Sequence, residues 1–538
     1  MSVGRYRRRL SDRPIGPTRT TSADPSPREE PMGSDPSSTQ QRRRLRVSDV
    51  TVVDKSMMRR AVGGMVVGNT MEWYDVGVYG YLAVTMGKVF LPTAEPAVQV
   101  LFSLGVFAAT YIARPLGGIV FGRLGDRLGR QRVLATALVL MASSTFLIGV
   151  LPAYATIGAL APVVLVVLKL LQGFSTGGEY AGATTFVTEY APDRRRGFFA
   201  SILDFGSYMG FALGAAVVTA LQLTLGDATM TAWGWRVPFL LAGLIGVVAI
   251  YFRLRIEESP VFQATQATQA AQEASAEARA EATGQRPTSV VAMVREHWRP
   301  ILIAVMLVAA SNTVGYALTS YMPTYLTDSL GYSALDGTLL TIPVLVLLAV
   351  VLPLTGRLSD RLGRRVVMWI GAATTVVLVV PAFLLIAHGA QWSTLLGLGL
   401  LALMTALWVS NQAASLPALF PTSTRYGAMG FAYNIAIAVF GGTTPLIVQA
   451  LLTWTGDELA PAYFLMAMSA LGAVGVFCMR ESSQRPLPGS MPAVETEAEV
   501  RELVLTQDTN PNLDLGDLPF AAADAVREAQ GTPEPAAR

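Results

Sequence analysis

Ionisable side chains lie inside long apolar stretches in the first half of this 538-residue chain. A charged side chain at the centre of a bilayer costs roughly 2.5–3.5 kcal/mol on insertion scales, and such groups commonly relay protons or bind ions. Glu72 and Asp75 are three residues apart, so they share one face of a helix. The carboxyl groups suited to binding and releasing a proton are those of Glu72, Asp75, Glu179 and Asp204.

Cationic and aromatic side chains accompany these carboxyl groups and suit a solute with two charged ends. Arg114 or Lys169 would pair with a carboxylate of the solute. An aromatic face attracts a cationic nitrogen, by about 2 kcal/mol when the pair is desolvated. The substrate-binding candidates are Arg114, Lys169, Trp73, Tyr74, Tyr79, Gln172, Tyr316, Trp408 and Asn411.

A structural role is the alternative for these charges, because charged side chains within membranes usually pair with one another. Glu72 or Glu179 would then form a permanent ion pair with a neighbouring cation such as Arg114. Arg114 precedes Pro115 and would instead bind backbone carbonyls near a kink. The second half has no comparable charge in mid-stretch, so we expect its amides and aromatic rings to shape the pocket.

The composition excludes a soluble enzyme. The chain is 52% hydrophobic and 15% charged, with a mean hydropathy of +0.43, whereas soluble domains carry about 25% charged residues. A net charge of +3 is too small to indicate nucleic-acid binding. Cys478 is the single cysteine, and His297 and His388 are far apart in sequence. We therefore expect no disulfide within the chain, no metal site and no cofactor.

About twelve apolar stretches are each long enough to cross the hydrocarbon core, which takes about 20 helical residues. They predict an all-α membrane protein with about twelve transmembrane helices in two pseudo-symmetric six-helix halves. Lys and Arg concentrate in the connectors after even-numbered stretches, which predicts that these connectors and both termini are cytoplasmic. The expected regions are a disordered N-terminal arm (1–55), an N-terminal half (56–253), a central loop with a surface helix (254–297), a C-terminal half (298–480) and a mostly disordered tail (481–538).

One charged connector occurs twice, at equivalent places in the two halves. GRLGDRLGRQRV begins at Gly122, and GRLSDRLGRRVV begins at Gly356. A run from proline to arginine also recurs, at Pro192–Arg196 and at Pro421–Arg425. Repeats at matching positions of two hydrophobic halves are typical of duplicated secondary transporters, whose substrate binds near the midplane between the repeats.

These connectors resemble the G-x-x-x-D-R-x-G-R-R signature of the major facilitator superfamily. Five further runs are similar to its metabolite:proton symporter family, and within it most resemble the osmoprotectant symporters: GNTMEWYDVGVYGYLA, IARPLGG, KLLQGFSTGGEYAGA, PDRRRGFFASILDFGS and WGWRVPF. The likeness extends from about Met65 to about Pro488. It implies a cytoplasmic gate that keeps the cytoplasmic side of the transporter closed in the outward-facing state. The gate residues would be Gly122, Asp126, Arg127, Arg130, Arg196, Gly356, Asp360, Arg361, Arg364 and Arg425.

The resemblance implies a proton-coupled importer of a zwitterionic compatible solute, such as proline or glycine betaine. It would work by alternating access as a monomer in the bacterial inner membrane. Its partners would be the solute, protons and the lipid bilayer, and no nucleic acid.

Two alternatives remain at this point. The first is a proton symporter of an organic acid, such as a dicarboxylate, with the same fold. Lys169 and Asp204 argue mildly against it, because a dianion favours paired cations without an adjacent carboxylate. The second is a non-transporting membrane sensor that signals through its tails, which the paired gates and the buried carboxyl groups disfavour.

Overall fold

The computed structural model describes residues 44–128, 130–255, 290–422 and 424–519. These segments are almost entirely helical. In the first half the helices are α1 (Lys55–Tyr81), α2 (Ala83–Phe90), α3 (Pro96–Leu128), α4 (Arg130–Val150), α5 (Tyr154–Ile157), α6 (Leu160–Thr176), α7 (Glu179–Tyr190), α8 (Arg196–Thr229) and α9 (Arg236–Arg255). They continue as α10 (Val290–Glu296), α11 (Trp298–Tyr316), α12 (Met322–Thr324), α13 (Ala334–Leu362), α14 (Arg364–Ala387), α15 (Gln391–Ser415), α16 (Arg425–Ala436), α17 (Thr444–Thr455), α18 (Ala460–Cys478) and α19 (Glu497–Thr506).

Nine helical segments within the described ranges are long and apolar enough to cross a membrane. They are Pro96–Phe121, Leu160–Tyr190, Asp193–Gly234, Trp298–Ser329, Ala334–Leu362, Arg364–Ala387, Gln391–Ser415, Arg425–Thr455 and Ala460–Cys478. Shorter apolar segments, Thr136–Val150 and Arg236–Gly246, lie in α4 and α9. The chain is therefore a multi-pass membrane protein with a helical membrane region.

Glycines let neighbouring helices pack at close range. α3 and α6 are in contact at Gly173, where a Cβ atom would collide with the carbonyl oxygen of Thr110. α8 of the first half packs along α13 of the second. At that contact a Cβ atom on Gly356 would overlap the Gly197 carbonyl oxygen and the Ser201 side chain. Small residues allow such close approach within membranes, and at Gly356 the approach joins the two halves.

Two of the three π-helical turns in the described membrane helices of the second half lie beside Tyr316. Ala317–Tyr321 follows α11, and Ile437–Gly441 follows α16. The two turns are close together, since a Cβ atom on Gly441 would lie 3.2 Å from Cε2 of Tyr316 and 3.2 Å from Cβ of Asn312. Turns of this type occur mostly at functional sites. Here they flank Tyr316, a predicted substrate-binding residue.

The two ends of the described chain fold together. β1 (Thr51–Val52) pairs in parallel with β2 (Ala493–Val494). A small apolar core surrounds this pair, formed by Leu45, Val50, Val494, Val500, Leu513 and Leu518. We call residues 44–54 and 481–519 together the clasp.

The clasp differs from the expectation of a disordered arm (1–55) and a mostly disordered tail (481–538). Its two strands have two residues each, so neither is visible as a periodic pattern in the sequence. The rest of the arm (1–43), the end of the tail (520–538) and the central segment 256–289, with its expected surface helix, lie outside the described residues.

Candidate functional site

Glu72 on α1 and Arg114 on α3 form an ion pair within the membrane region. Nη2 of Arg114 lies 3.2 Å from Oε1 of Glu72, and the two side chains are 1% and 4% exposed. The guanidinium carbon lies 4.8 Å from the ring centre of Tyr111 and 5.9 Å from that of Trp73. Its Nε has no hydrogen-bond acceptor among the described residues. Glu179, partly buried at the start of α7, is within electrostatic range of Glu72.

Asp75, further along α1, belongs to a separate polar cluster. Its Oδ2 accepts a hydrogen bond from the Thr145 hydroxyl at 2.7 Å and another from the Gln172 amide. Lys169 donates to the amide oxygen of Gln172 at 2.8 Å, and its ammonium nitrogen lies 4.2 Å from the ring centre of Tyr79. This cluster brings together four of the predicted site residues and adds Thr145 from α4.

Asp204 on α8 is buried without a hydrogen-bond donor on one of its oxygens. The residue is 3% exposed, and Oδ2 has no partner among the described residues. Tyr208, one turn further along α8, and Tyr180 of α7 are within electrostatic range. A carboxylate removed from water is stable only when a donor, a cation or a proton compensates it. Asp204 therefore has the capacity to bind a cation or a proton.

Six aromatic side chains connect the surroundings of Arg114 with those of Asp204. We call them the aromatic cluster: Trp73, Phe107, Tyr111, Tyr208, Phe211 and Tyr316. The ring centre of Trp73 lies 5.3 Å from that of Phe211 and 6.1 Å from that of Tyr316. Tyr111 lies 5.3 Å from Tyr316, and Tyr208 lies 6.1 Å from Phe211. Because α11 contributes Tyr316 and the other rings come from α1, α3 and α8, the cluster spans both halves.

The aromatic cluster is chemically suited to a cationic nitrogen, since the ring faces attract positive charge. Trp73 and Tyr316 are predicted from the sequence. The other four rings are not, although Tyr111 is spaced three residues from Arg114 and Tyr208 four residues from Asp204. At these spacings a side chain lies on the same helix face as the charged residue, which is the signal that could have identified them.

A hydrogen-bond network joins the halves through Tyr180. The amide nitrogen of Gln412 on α15 donates to the Tyr180 hydroxyl at 3.3 Å. The amide oxygen of Gln412 accepts from Asn312 on α11 at 2.9 Å. The ring of Tyr180 stacks on Tyr433 of α16, with ring centres 4.1 Å apart. Tyr180 therefore links the first half to several helices of the second, beside Asp204.

Three predicted substrate-binding residues make other contacts. The Tyr74 hydroxyl donates to the carbonyl oxygen of Pro238 at 3.3 Å. Trp408 is fully buried among apolar side chains of α11, α14 and α18. The amide nitrogen of Asn411 donates to the Leu407 carbonyl oxygen of its own helix at 3.0 Å. None of these contacts joins the three side chains to the aromatic cluster, and the indole nitrogen of Trp408 and the amide oxygen of Asn411 are buried without a partner among the described residues.

Gate residues of the second repeat contact the first half directly. The backbone N–H groups of Gly197 and Phe198, at the start of α8, each donate to the Asp360 carboxylate at 2.9 Å. Nη2 of Arg364 lies 2.6 Å from Oδ1 of Asp360. The N-terminus of a helix is a favourable site for a carboxylate because its N–H groups are free and its dipole is positive there. We call the end of the bundle where the gate arginines lie the basic face: Arg196, Arg364 and Arg425.

Arg425 contacts both the opposite half and the clasp, and Arg196 contacts the clasp. Nη1 of Arg425 lies 2.5 Å from Oε1 of Glu189 on α7. Arg425 also donates to the Pro488 carbonyl oxygen at 2.7 Å, and Arg196 donates to the Arg485 carbonyl oxygen at 2.7 Å. The clasp thus touches gate residues of both halves, and the halves are closed against each other at the basic face.

For the gate residues in the first copy of the repeated connector, the structure describes only the position of the backbone. Gly122, Asp126 and Arg127 lie in the last turns of α3, and Arg130 begins α4. Their side chains lie outside the described part of the structure. Arg361 is exposed on α13, unlike the buried gate residues Asp360 and Arg364 beside it in sequence.

Comparisons with known proteins identify the family. Residues 62–489 match the family described as "Sugar (and other) transporter". The chain is 49% identical over 488 residues to the ectoine/proline transporter ProP of Corynebacterium glutamicum, which covers 90% of this chain and 96% of that protein. It is 40% identical over 480 residues to the proline/betaine transporter of Escherichia coli K12, which covers 89% of this chain and 95% of that protein.

Solved structures share the fold at lower identity. The proton:xylose symporter XylE bound to 6-bromo-6-deoxy-D-glucose, a protein of the major facilitator superfamily, superposes with a TM-score of 0.63 at 20% identity, over 80% of this chain and 98% of that chain. A partially occluded inward open conformation of XylE from E. coli superposes with a TM-score of 0.60 at 21% identity, over 79% of this chain and 99% of that chain. The chain therefore belongs to the sugar (and other) transporter family, has the major facilitator fold, and is a transporter rather than an enzyme.

Proposed function

We propose that this protein couples inward proton movement to uptake of a zwitterionic compatible solute such as proline, glycine betaine or ectoine. The names of the relatives support this substrate class. The observation that carries the proposal is the aromatic cluster, with Arg114 at one end and the Asp204 carboxyl group at the other. A solute with one carboxylate and one cationic nitrogen has charges complementary to both ends.

The two ends of the solute would bind differently. Its carboxylate would pair with Arg114, whose planar guanidinium can donate two parallel hydrogen bonds. Its cationic nitrogen would lie against Trp73 and Tyr316 and be attracted by Asp204. This arrangement holds even for betaine, whose quaternary nitrogen has no N–H to donate, because attraction to ring faces and to a carboxylate needs no hydrogen bond.

Glu72 is the proposed coupling residue. Its carboxylate holds Arg114 in this structure. A proton bound by Glu72 neutralises that carboxylate and weakens the ion pair, so the guanidinium becomes available to the carboxylate of the solute. Binding of the proton would then increase the affinity for the solute, and binding of the solute would increase the affinity for the proton. Asp75, beside Lys169 and Gln172, provides a second carboxyl group on the same helix.

The proposed topology has twelve membrane helices, adding α1, α4 and α9 to the nine apolar segments. The basic face and both termini would be cytoplasmic in a bacterial inner membrane, since its connectors carry most of the Lys and Arg. The closed basic face fits an outward-facing or occluded state of a monomeric transporter.

An Arg501→Cys variant in a Cys478→Ser background tests the proposed cytoplasmic position of the C-terminal tail. A membrane-impermeant maleimide should label it in inverted vesicles, and labelling in right-side-out vesicles would contradict the orientation.

Uptake into proteoliposomes tests the function. An inward acid gradient should drive accumulation of labelled betaine above the outside concentration, and no labelled dicarboxylate should accumulate. Glu72→Gln should exchange betaine across the membrane without accumulating it, whereas Glu458→Gln, an exposed carboxyl group in a connector, should behave as wild type. Accumulation of the dicarboxylate alone would favour the organic-acid alternative. Gradient-driven accumulation by Glu72→Gln would exclude Glu72 from coupling.

A further inference from the structure

Helices α1 and α8 form a groove near the basic face that the transport site does not use. The helices touch at Gly206, where a Cβ atom would lie 2.9 Å from the Val66 carbonyl oxygen. Between this contact and the starts of the helices lies a groove of about 550 Å³. Its apolar walls include Met58, Val62, Phe198, Phe199, Ile202 and Phe205.

The walls suit a hydrocarbon chain. Phe198, Ile202 and Phe205 follow a helical spacing of four and three residues, so they form one face of α8, and all are partly exposed. On the opposite side a Cβ atom added to Gly63 would meet no atom within 4 Å. The groove is therefore open at Gly63 and lined by aromatic and branched side chains.

The mouth of the groove is positively charged. Lys55 and Arg59 are four residues apart on the α1 face that also carries Gly63, and both are exposed. Neither forms an ion pair with a described carboxylate, whereas Arg195 at the start of α8 is paired with Glu495 at 3.0 Å. The mouth thus presents two cations without an ion-pair partner among the described residues, beside the Arg195–Glu495 pair and directly above an apolar cleft.

We propose that this groove binds a phospholipid with an anionic headgroup, its phosphate at Lys55 and Arg59 and one acyl chain along the phenylalanines of α8. From Lys55 to Val66 the helix rises about 16 Å, close to half of a 30 Å hydrocarbon core, so the groove has the depth of one leaflet. Basic residues at a membrane surface attract anionic lipids. A water-soluble anion would leave the apolar walls unused.

Spin-labelled lipids test the proposal in the full chain reconstituted into phosphatidylcholine nanodiscs. The measured quantity is the association of labelled phosphatidylglycerol relative to labelled phosphatidylcholine. Lys55→Gln with Arg59→Gln should lower this ratio about thirtyfold, because each of the two basic residues near the surface contributes roughly 1 kcal/mol. Arg295→Gln with Arg299→Gln is the matched control. That pair is also exposed and spaced by four residues, with Arg295 on α10 and Arg299 on α11, and should leave the ratio unchanged.

A third variant separates the groove from surface charge. Gly63→Leu keeps every charge and places a branched side chain at a glycine that lines the groove, where a Cβ atom would meet no atom within 4 Å. We expect it to lower phosphatidylglycerol association as much as the double substitution, with helical content and betaine exchange as checks of folding. An equal loss in the control pair would assign the effect to general surface charge and overturn the proposal. Unchanged association in Gly63→Leu would also overturn it.

Discussion

Arg425 of the second half lies 2.5 Å from Glu189 of the first, measured from Nη1 to Oε1, and this ion pair crosses the boundary between the halves. Glu189 is on α7, the same helix that carries Tyr180 with its contacts to Gln412 and Tyr433. One short helix therefore connects the closed basic face to the surroundings of Asp204. A displacement of α7 would change both contacts together, as alternating access requires.

Loss of the Glu189 charge should open the basic face more often. Glu189→Gln leaves the fully buried Arg425 without its ion-pair partner, which is unfavourable for a buried charge. We expect a Ser201→Cys reporter, in a Cys478→Ser background, to react several-fold faster with a maleimide. Glu502→Gln, which removes an exposed pair with Arg194, is the control and should leave the rate unchanged. An unaltered rate in Glu189→Gln would show that the pair does not hold the halves together.

Removal of the Asp204 charge should weaken binding of the cationic end of the solute. Asp204→Asn keeps the shape of the side chain and removes its negative charge, so we expect the KM for betaine to rise about tenfold. Asp457→Asn, in an exposed connector, serves as the control. Equilibrium binding of labelled betaine to the purified protein separates this effect from a change in turnover. Equal affinity in wild type and Asp204→Asn would remove Asp204 from the binding site.

Trp73 should discriminate between methylated and unmethylated solutes. Trp73→Leu removes a ring face worth about 2 kcal/mol to a desolvated cation. Betaine, which has no N–H, should lose more affinity than proline, which can still hydrogen-bond. Trp408→Phe should lower the melting temperature without changing the betaine-to-proline ratio, because Trp408 packs among apolar side chains. A ratio that shifts in Trp408→Phe and not in Trp73→Leu would reverse these two assignments.

Glu481 should stabilise the junction between the clasp and α14. Its carboxylate accepts the backbone N–H groups of Arg364 at 2.9 Å and Arg365 at 3.0 Å, as an N-terminal helix cap does. Loss of such a cap costs about 1 kcal/mol, so Glu481→Ala should lower the melting temperature and speed proteolysis of the tail. Glu497→Ala, exposed in the first turn of α19, is the matched control. Identical proteolysis rates would contradict a stabilising role for Glu481.

The positions of the charged residues were predictable from the sequence, and their partners only in part. The three-residue spacing of Glu72 and Asp75 places both on one side of α1. However, Glu72 faces Arg114 on α3, whereas Asp75 is bonded to Thr145 on α4 and Gln172 on α6. Residue spacing along one helix predicts which face of the helix a side chain is on. It does not predict which neighbouring helix packs against that face, because this depends on segments that are distant in sequence.

Aromatic residues show the limit of sequence reasoning more clearly. Trp408 and Tyr316 are both aromatic residues near amides in apolar stretches of the second half, and only Tyr316 joins the aromatic cluster. In a membrane helix an apolar face can point to lipid, to a neighbour or to a cleft, since all three are compatible with a hydrophobic side chain. The π turn after Tyr316 depends on backbone packing and leaves no periodic pattern to detect.

The pairing of β1 with β2 also has a consequence for biosynthesis. β1 precedes the first membrane helix and β2 follows the last one. The ribosome must therefore complete nearly the entire polypeptide before this ladder can form. A nascent or prematurely terminated chain lacks β2. Its β1 strand therefore has no pairing partner until β2 has been translated.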